Sequence, residues 1–132
     1  MPKQFINPPN MKPLGKYSTL TVAQGGSIAF ISGQVSVDGD GKVVGAGDIE
    51  AQAVQVFENL KCALSGIGAT FEDVIKFTIY IVGFNQQRRK AVMDARNLYI
   101  SHEHPPAATM VGVDQLVEPE LLVEIEAIAA LD

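Results

Sequence analysis

A chain of 132 residues has the length of one domain, enough to bury roughly two-thirds of its unfolded surface and too little for a second core. Hydrophobic residues make up 47% and charged residues 19%, which excludes a disordered chain. Ten basic against fifteen acidic residues leave a net charge of -5, a poor footprint for gripping a phosphate backbone, so nucleic acid is not an expected partner.

The opening Pro2 to Pro13 holds four prolines and two asparagines and reads as an extended, irregular lead-in. It lacks the apolar core of a signal peptide, and no apolar run reaches the ~18 residues of a membrane span, so a cytoplasmic protein without membrane contact is expected. Cys62 is the only cysteine and cannot form a disulfide within the chain. Tyr17 to Val22 and Ile28 to Ser32 are strand-like runs around a Gln24-Gly25-Gly26 turn, the pattern of a hairpin. A short strand at Val35 to Val37 precedes a second turn, Asp38-Gly39-Asp40-Gly41.

Asp48 is placed to cap a helix whose apolar face is Ile49, Ala53, Val56, Phe57, Leu60, Leu64 and Ile67, with Gly66 and Gly68 as its stop. Val74 to Val82 alternates Phe77, Ile79 and Ile81 with Lys76, Thr78 and Tyr80, a strand with one buried side. Helical spacing returns from Gln86 to Ile100, with Val92, Ala95, Tyr99 and Ile100 inward and Arg88, Arg89, Lys90 and Arg96 outward, until Pro105 and Pro106 break it. A closing pair of strands covers Thr109 to Val113 and Leu121 to Leu131. The order predicts a single α+β domain over residues 1–132, a two-layer sandwich with two helices on one face of a mostly antiparallel sheet. The other sheet face is then too apolar to leave wet, which points to self-association.

Phosphate loops, CxxC, HExxH and GxSxG are all missing from the sequence. His102 and His104 form an HxH in a proline-punctuated loop without a third ligand nearby, which favours a surface loop over a metal site. Cys62 sits mid-helix without a local base, as a packed or half-packed thiol does. The run Arg88-Arg89-Lys90 reads as a solvated helix face. Glu124 and Glu126 are two apart in a strand and share a face with Leu122 and Ile128. An exposed sheet end explains them; so does a partly dry cleft, in which a carboxyl works as a general acid or base near neutrality.

Five short stretches, in order, carry a resemblance: G-K-Y-S at Gly15 to Ser18, I-S-G-Q-V at Ile31 to Val35, D-I-E-A-Q at Asp48 to Gln52 leading to N-L-K at Asn59 to Lys61, D-V-I-K at Asp73 to Lys76, and V-E-I-E-A-I-A at Val123 to Ala129. Over nearly its full length the chain resembles the YjgF/RidA family of reactive intermediate deaminases, also called RutC-like or L-PSP proteins. The resemblance implies a chorismate-mutase-like fold, a homotrimer with small-molecule clefts between subunits, and cofactor-free, metal-free hydrolysis of 2-imino or enamine acids to 2-oxo acids and ammonia. It gives Glu124 the role of positioning water or moving protons, lines the cleft with Tyr17 and Ser32, and has a backbone group near Gly33 hold the substrate.

The family's deaminases clamp the substrate carboxylate with the arginine of a P-A-R-(S/T) motif, which here reads Pro106-Ala107-Ala108-Thr109. Ala108 replaces the arginine, Met110 a frequent cysteine, and Met93 a frequent asparagine. Losing a bidentate guanidinium weakens carboxylate binding by roughly a hundredfold or more, so a substrate other than the usual 2-imino acids is expected. Arg96 or a histidine of the 102–104 loop, reaching in from a neighbouring subunit, is the substitute that the sequence offers. A non-catalytic trimer binding a small ligand or partner is the alternative, and the family's endoribonuclease label the weakest reading.

Overall fold

Alternation along the last strand, from Val123 to Ala129, divides the molecule into two layers. In the computed structural model, which describes residues 3–132, Val123, Ile125, Ala127 and Ala129 are buried on one side of that strand, while Glu124, Glu126 and Ile128 are half-buried on the other. The elements are β1 (Lys3–Ile6), β2 (Leu20–Ala23), β3 (Ser27–Val35), α1 (Ile49–Ser65), a single 3-10 turn (Phe71–Asp73), β4 (Val74–Val82), α2 (Gln86–Asn97), β5 (Ala107–Val113) and β6 (Val123–Leu131). One sheet has the order β3-β6-β4-β5, antiparallel except at the β4–β5 pair, whose parallel crossover is α2. The expected two-layer α+β architecture is therefore present.

Both helices lie on the face where β4 and β6 bury their alternate apolar residues. Asp48 caps α1 by accepting from the Ala51 amide at 3.1 Å, and Ala53, Val56, Phe57, Leu60 and Leu64 are buried as the helical spacing predicts. Phe57 is the centre of an aromatic cluster, stacked on Tyr99 at 5.4 Å, tilted against Phe71 and edge-on to Phe77, each at 6.2 Å. Those contacts join α1, β4 and the end of α2, each adding about 0.5–1.5 kcal/mol beyond area burial. The helix runs only to Ser65; of its two stop glycines Gly66 is right-handed and Gly68 left-handed, at φ +71°, and Ile67 is exposed.

Four expectations need correction. The lead-in is not irregular throughout, because Lys3–Ile6 pairs antiparallel with β2 as a separate two-stranded sheet. That pairing occupies the ladder of β2, so β2 and β3 form no hairpin even though Gly25 and Gly26 turn the chain with φ of 69° and 62°. The segment Val35 to Val37 is the end of β3 followed by an isolated Val37–Val43 bridge. Finally, the two closing strands are not partners, since β4 lies between them.

Gln52, fully buried near the start of α1, fixes the entry to β6. Its Oε1 accepts from the Leu122 amide at 2.8 Å, and its Nε2 donates to the carbonyls of Glu120 at 2.8 Å and Gly45 at 3.0 Å. An apolar residue there would take this partner from the Leu122 amide and the Glu120 carbonyl, while the Gly45 carbonyl would keep the Asp48 amide at 2.9 Å. Gln52→Leu is expected to destabilise the chain by about 2–4 kcal/mol, read as a lower urea midpoint at unchanged slope. A loss under ~0.5 kcal/mol would mean that water replaces the amide at little cost.

Candidate functional site

The chemistry-bearing residues fall into two groups, one on each face of the sheet. The first is assembled by the loop before β2. Ser18 is buried there; its hydroxyl donates to the Pro105 carbonyl and its amide to the Pro106 carbonyl at 3.3 Å. Asn7 accepts from the Thr19 amide at 2.7 Å, and Arg96 of α2 donates from Nη2 to the Lys16 carbonyl at 2.7 Å. These bonds lay the loop against the start of β5 and hold Tyr17, whose phenol oxygen accepts from the Leu14 amide at 3.0 Å. The result is a cavity of about 120 Å³ in which Tyr17 meets Ala108, Met110, Met93 and Arg96.

Its charge is one-sided. Lys16, Arg89 and Arg96 line the cavity and no carboxylate does, in a chain whose net charge is -5. Arg96 is 2% exposed and has no acidic partner among the described residues; burial lowers its pKa because the charged form is desolvated. Besides the bond to Lys16, its guanidinium makes one other among the described residues, to Asn97 Oδ1 at 3.4 Å.

The second group forms where β3 meets β6. The register slips between Ile31 and Gln34, leaving Ser32 and Gly33 without Cα partners, as at a bulge. Glu124 folds its side chain over Gly33; a Cβ at residue 33 would lie 2.7 Å from the Glu124 Cδ, so only glycine admits the carboxyl there. Ser32 is exposed beside it. The Glu124 carboxyl makes no hydrogen bond among the described residues, whereas that of Glu126 accepts one from the Tyr80 hydroxyl. Burial first, and the neighbouring Glu126 charge second, raise the Glu124 pKa above the ordinary value of 4.5. The Tyr80 phenol is raised in turn by its bond to Glu126.

Ala108 and Met110 stand in register with Phe77 and Ile79, on the helix-facing side of the sheet, while Glu124 stands in register with Tyr80 on the opposite side. One copy of the chain therefore joins Tyr17, Ala108 and Met110, separately joins Ser32, Gly33 and Glu124, and does not bring the two groups together. The face that carries Glu124 also exposes Ile28, Val111 and Phe30, the last at 78%.

Arg96 is a correction to the helix reading, which turned it to solvent. It stands four residues after Val92 and three before Tyr99, so helical spacing already placed it on the flank of the buried stripe. Met93 and Arg89 complete an i, i+4, i+7 row facing the cavity. Cys62 is exposed rather than packed, and the ring of exposed His104 lies 5.5 Å from that of Phe5. A larger groove of about 400 Å³ between Phe5, Phe71, Tyr99 and His104 contains none of the residues named for the site.

Comparison with known proteins gives a consistent result. A family model described as endoribonuclease L-PSP matches residues 8–131. The chain is 38% identical to a RutC family protein of Pyrococcus horikoshii over 118 residues, 89% of each chain. It is 32% identical over 132 residues to a protein of Dermatophagoides farinae named 2-iminobutanoate/2-iminopropanoate deaminase, covering 99% of this chain and 98% of that one. Among solved structures, the Rid-family protein YyfB of Yersinia pestis superposes with a TM-score of 0.89 at 36% identity, covering 99% of this chain and 100% of that one. RidA of Psychrobacter sp. PAMC 21119 gives a TM-score of 0.71 at 29% identity, covering 91% and 92%.

Two outcomes are expected at Glu124. Gly33→Ala pushes the carboxyl off the bulge toward solvent, so its titration midpoint, followed by carbon NMR, falls toward the ordinary glutamate value while stability changes by less than ~1 kcal/mol. The raised folded pKa also means that wild type holds a proton more tightly folded than unfolded. The resulting stability is complete below the ordinary value of 4.5 and is lost as pH rises through the folded value. The stability of Glu124→Gln relative to wild type should therefore increase across that window in denaturation series, and a flat difference would contradict the assignment.

Proposed function

The chain belongs to the L-PSP family, which holds the Rid and RutC proteins, and on that premise we propose that it hydrolyses a reactive imine or enamine in a cleft between subunits of a homotrimer. The observation that carries the reading is the Glu124 carboxyl, half-buried over Gly33 and without a hydrogen bond among the described residues. Glu124 as carboxylate takes a proton from water while the water oxygen bonds to the imine carbon; the C=N pair of electrons moves to nitrogen, which is protonated. Collapse of that carbinolamine expels ammonia and leaves a carbonyl. Each proton that Glu124 takes it returns to nitrogen, so the cycle closes without redox chemistry. Burial, which raises the Glu124 pKa above the ordinary value, makes its carboxylate a better acceptor for the proton of water.

The intersubunit placement is supported by the opposite-face arrangement of the two residue groups and by the exposed Ile28, Phe30 and Val111 around Glu124. A second copy presenting its Tyr17 cavity to that face would complete one site per interface. Ser32 and the backbone at Gly33 would flank the reacting carbon, and Tyr17, Ala108 and Met110 would hold the rest of the ligand. Ala108 offers a methyl group where the resemblance puts a guanidinium, so the substrate differs from the family's usual 2-imino acids. The same substitution favours the alternative of a trimer that binds a small ligand without turning it over.

Imines generated in place by an amino-acid oxidase separate these readings. Wild type is expected to accelerate oxo-acid and ammonia release, Glu124→Gln to slow it by about 10²-fold or more, and Ala108→Arg to raise turnover of short 2-imino acids. No acceleration by either wild type or Ala108→Arg would leave the binding protein as the better account.

A further inference from the structure

A buried guanidinium without a carboxylate is costly to keep, because desolvation disfavours the charge and nothing negative offsets it. Arg96 is in that position, 2% exposed, its guanidinium making two hydrogen bonds among the described residues, to the Lys16 carbonyl and to Asn97 Oδ1. Its remaining N–H donors lie at the wall of a cavity that Lys16 and Arg89 also line and that no acid enters. Arg89 is exposed and its guanidinium makes no hydrogen bond or ion pair among the described residues, so it is available at the cavity mouth. The remaining wall is apolar, with Ile79, Met93, Ala108 and Met110.

Position 108 connects these facts. Ala108 lies on the side of β5 that faces the helices, and its short side chain leaves the recess between the strand and α2 open. At about 120 Å³ the recess has roughly four times the share of volume that a water molecule takes in the liquid, enough for a carboxylate and a short run of carbon atoms. A ligand entering beside Tyr17 would pass the alanine and reach the guanidinium behind it. The ligand thus supplies the length that the side chain at 108 lacks.

We propose that Arg96, with Arg89 at the mouth, is the anion-recognising group of this cleft, and that it takes a carboxylate carried on a short apolar chain. The proposal rests on the cleft reading above and sharpens it: the substrate is an imine or enamine whose carboxylate is separated from the reacting carbon by additional carbon atoms. A planar guanidinium pairs with two carboxylate oxygens at once, which an uncharged amide of the same shape cannot reproduce.

The test uses 4-oxopentanoate, a stable carbonyl acid, against 4-oxopentanamide, with inorganic phosphate as a control, in calorimetric titrations of the full chain. Wild type is expected to prefer the acid to the amide by roughly tenfold or more. Arg96→Gln, which keeps a donor for the Lys16 carbonyl but no charge, should reduce that preference to about one; Arg89→Gln should reduce it a few-fold. Should Arg96→Gln fail to fold, Ala108→Leu closes the recess with the guanidinium intact and is expected to abolish binding of the acid. Equal affinity of wild type for acid and amide, an unchanged preference in Arg96→Gln, undiminished binding in Ala108→Leu, or phosphate binding as tight as the acid would each overturn the proposal. Glu124→Gln separates it from the hydrolase reading. Acid binding retained in that variant, with imine hydrolysis absent even in wild type, supports the anion site while the hydrolase reading fails; hydrolysis without acid preference overturns the anion site alone.

Discussion

The two-residue period of β6 is the constraint on which the rest of the structure depends. Val123, Ile125, Ala127 and Ala129 must point at α1 and α2 to complete the core, so Glu124 and Glu126 must point the other way. A slip of one residue would put two carboxylates under Phe57 and four apolar side chains in water. The stabilisation of the core thus fixes the face on which the acid stands. The same rule acts on β5, where pairing with β4 turns Ala108 and Met110 to the helix side. Acid and recess are placed apart by the backbone itself, and any chemistry that needs both needs two copies.

Local bonds then sharpen what the alternation allows. Gln52 holds the connection that enters β6, and Asn59 donates from Nδ2 to the carbonyls of Val35 and Val37 at 2.9 and 3.0 Å, just past the bulge that exposes Ser32 and Gly33. Both are helix side chains that serve backbone groups left over where strands end. The Tyr17 loop is held in the same way by Arg96 and by the docking of Ser18 on Pro105 and Pro106. At Glu124 the contrast with its neighbour is instructive. Tyr80 engages Glu126 and leaves Glu124 with burial and a like charge, both of which raise its pKa.

Much of this was legible in the sequence, for physical reasons that also explain the failures. The faces of α1, β4 and β6 follow from side-chain periodicity, and periodicity survives because each of these elements has one buried side. Pairing does not follow from it: Lys3–Ile6 becomes a strand only because β2 is available beside it, and the Gly25-Gly26 turn joins strands that belong to different sheets. The bulge at Ser32 and Gly33 is a two-strand property that neither strand announces alone. Arginine is ordinarily exposed, yet Arg96 is buried, and its spacing from Val92 and Tyr99 is a better guide to its place than its charge. Tyr17 and Ala108 stand out only through the resemblance, and the recess behind Ala108 exists because α2 lays Arg89, Met93 and Arg96 along it.

The central claim is that one copy supplies Glu124 and its neighbour supplies the Tyr17 recess. It is tested most directly by mixing two subunits, Tyr17→Ala and Glu124→Gln, each impaired alone in imine hydrolysis, through joint unfolding and reassembly. If the halves come from different copies, mixed assemblies contain interfaces with both residues intact, and activity rises above that of either parent. Activity that stays at the average of the two parents, in assemblies shown to be mixed, would contradict the account.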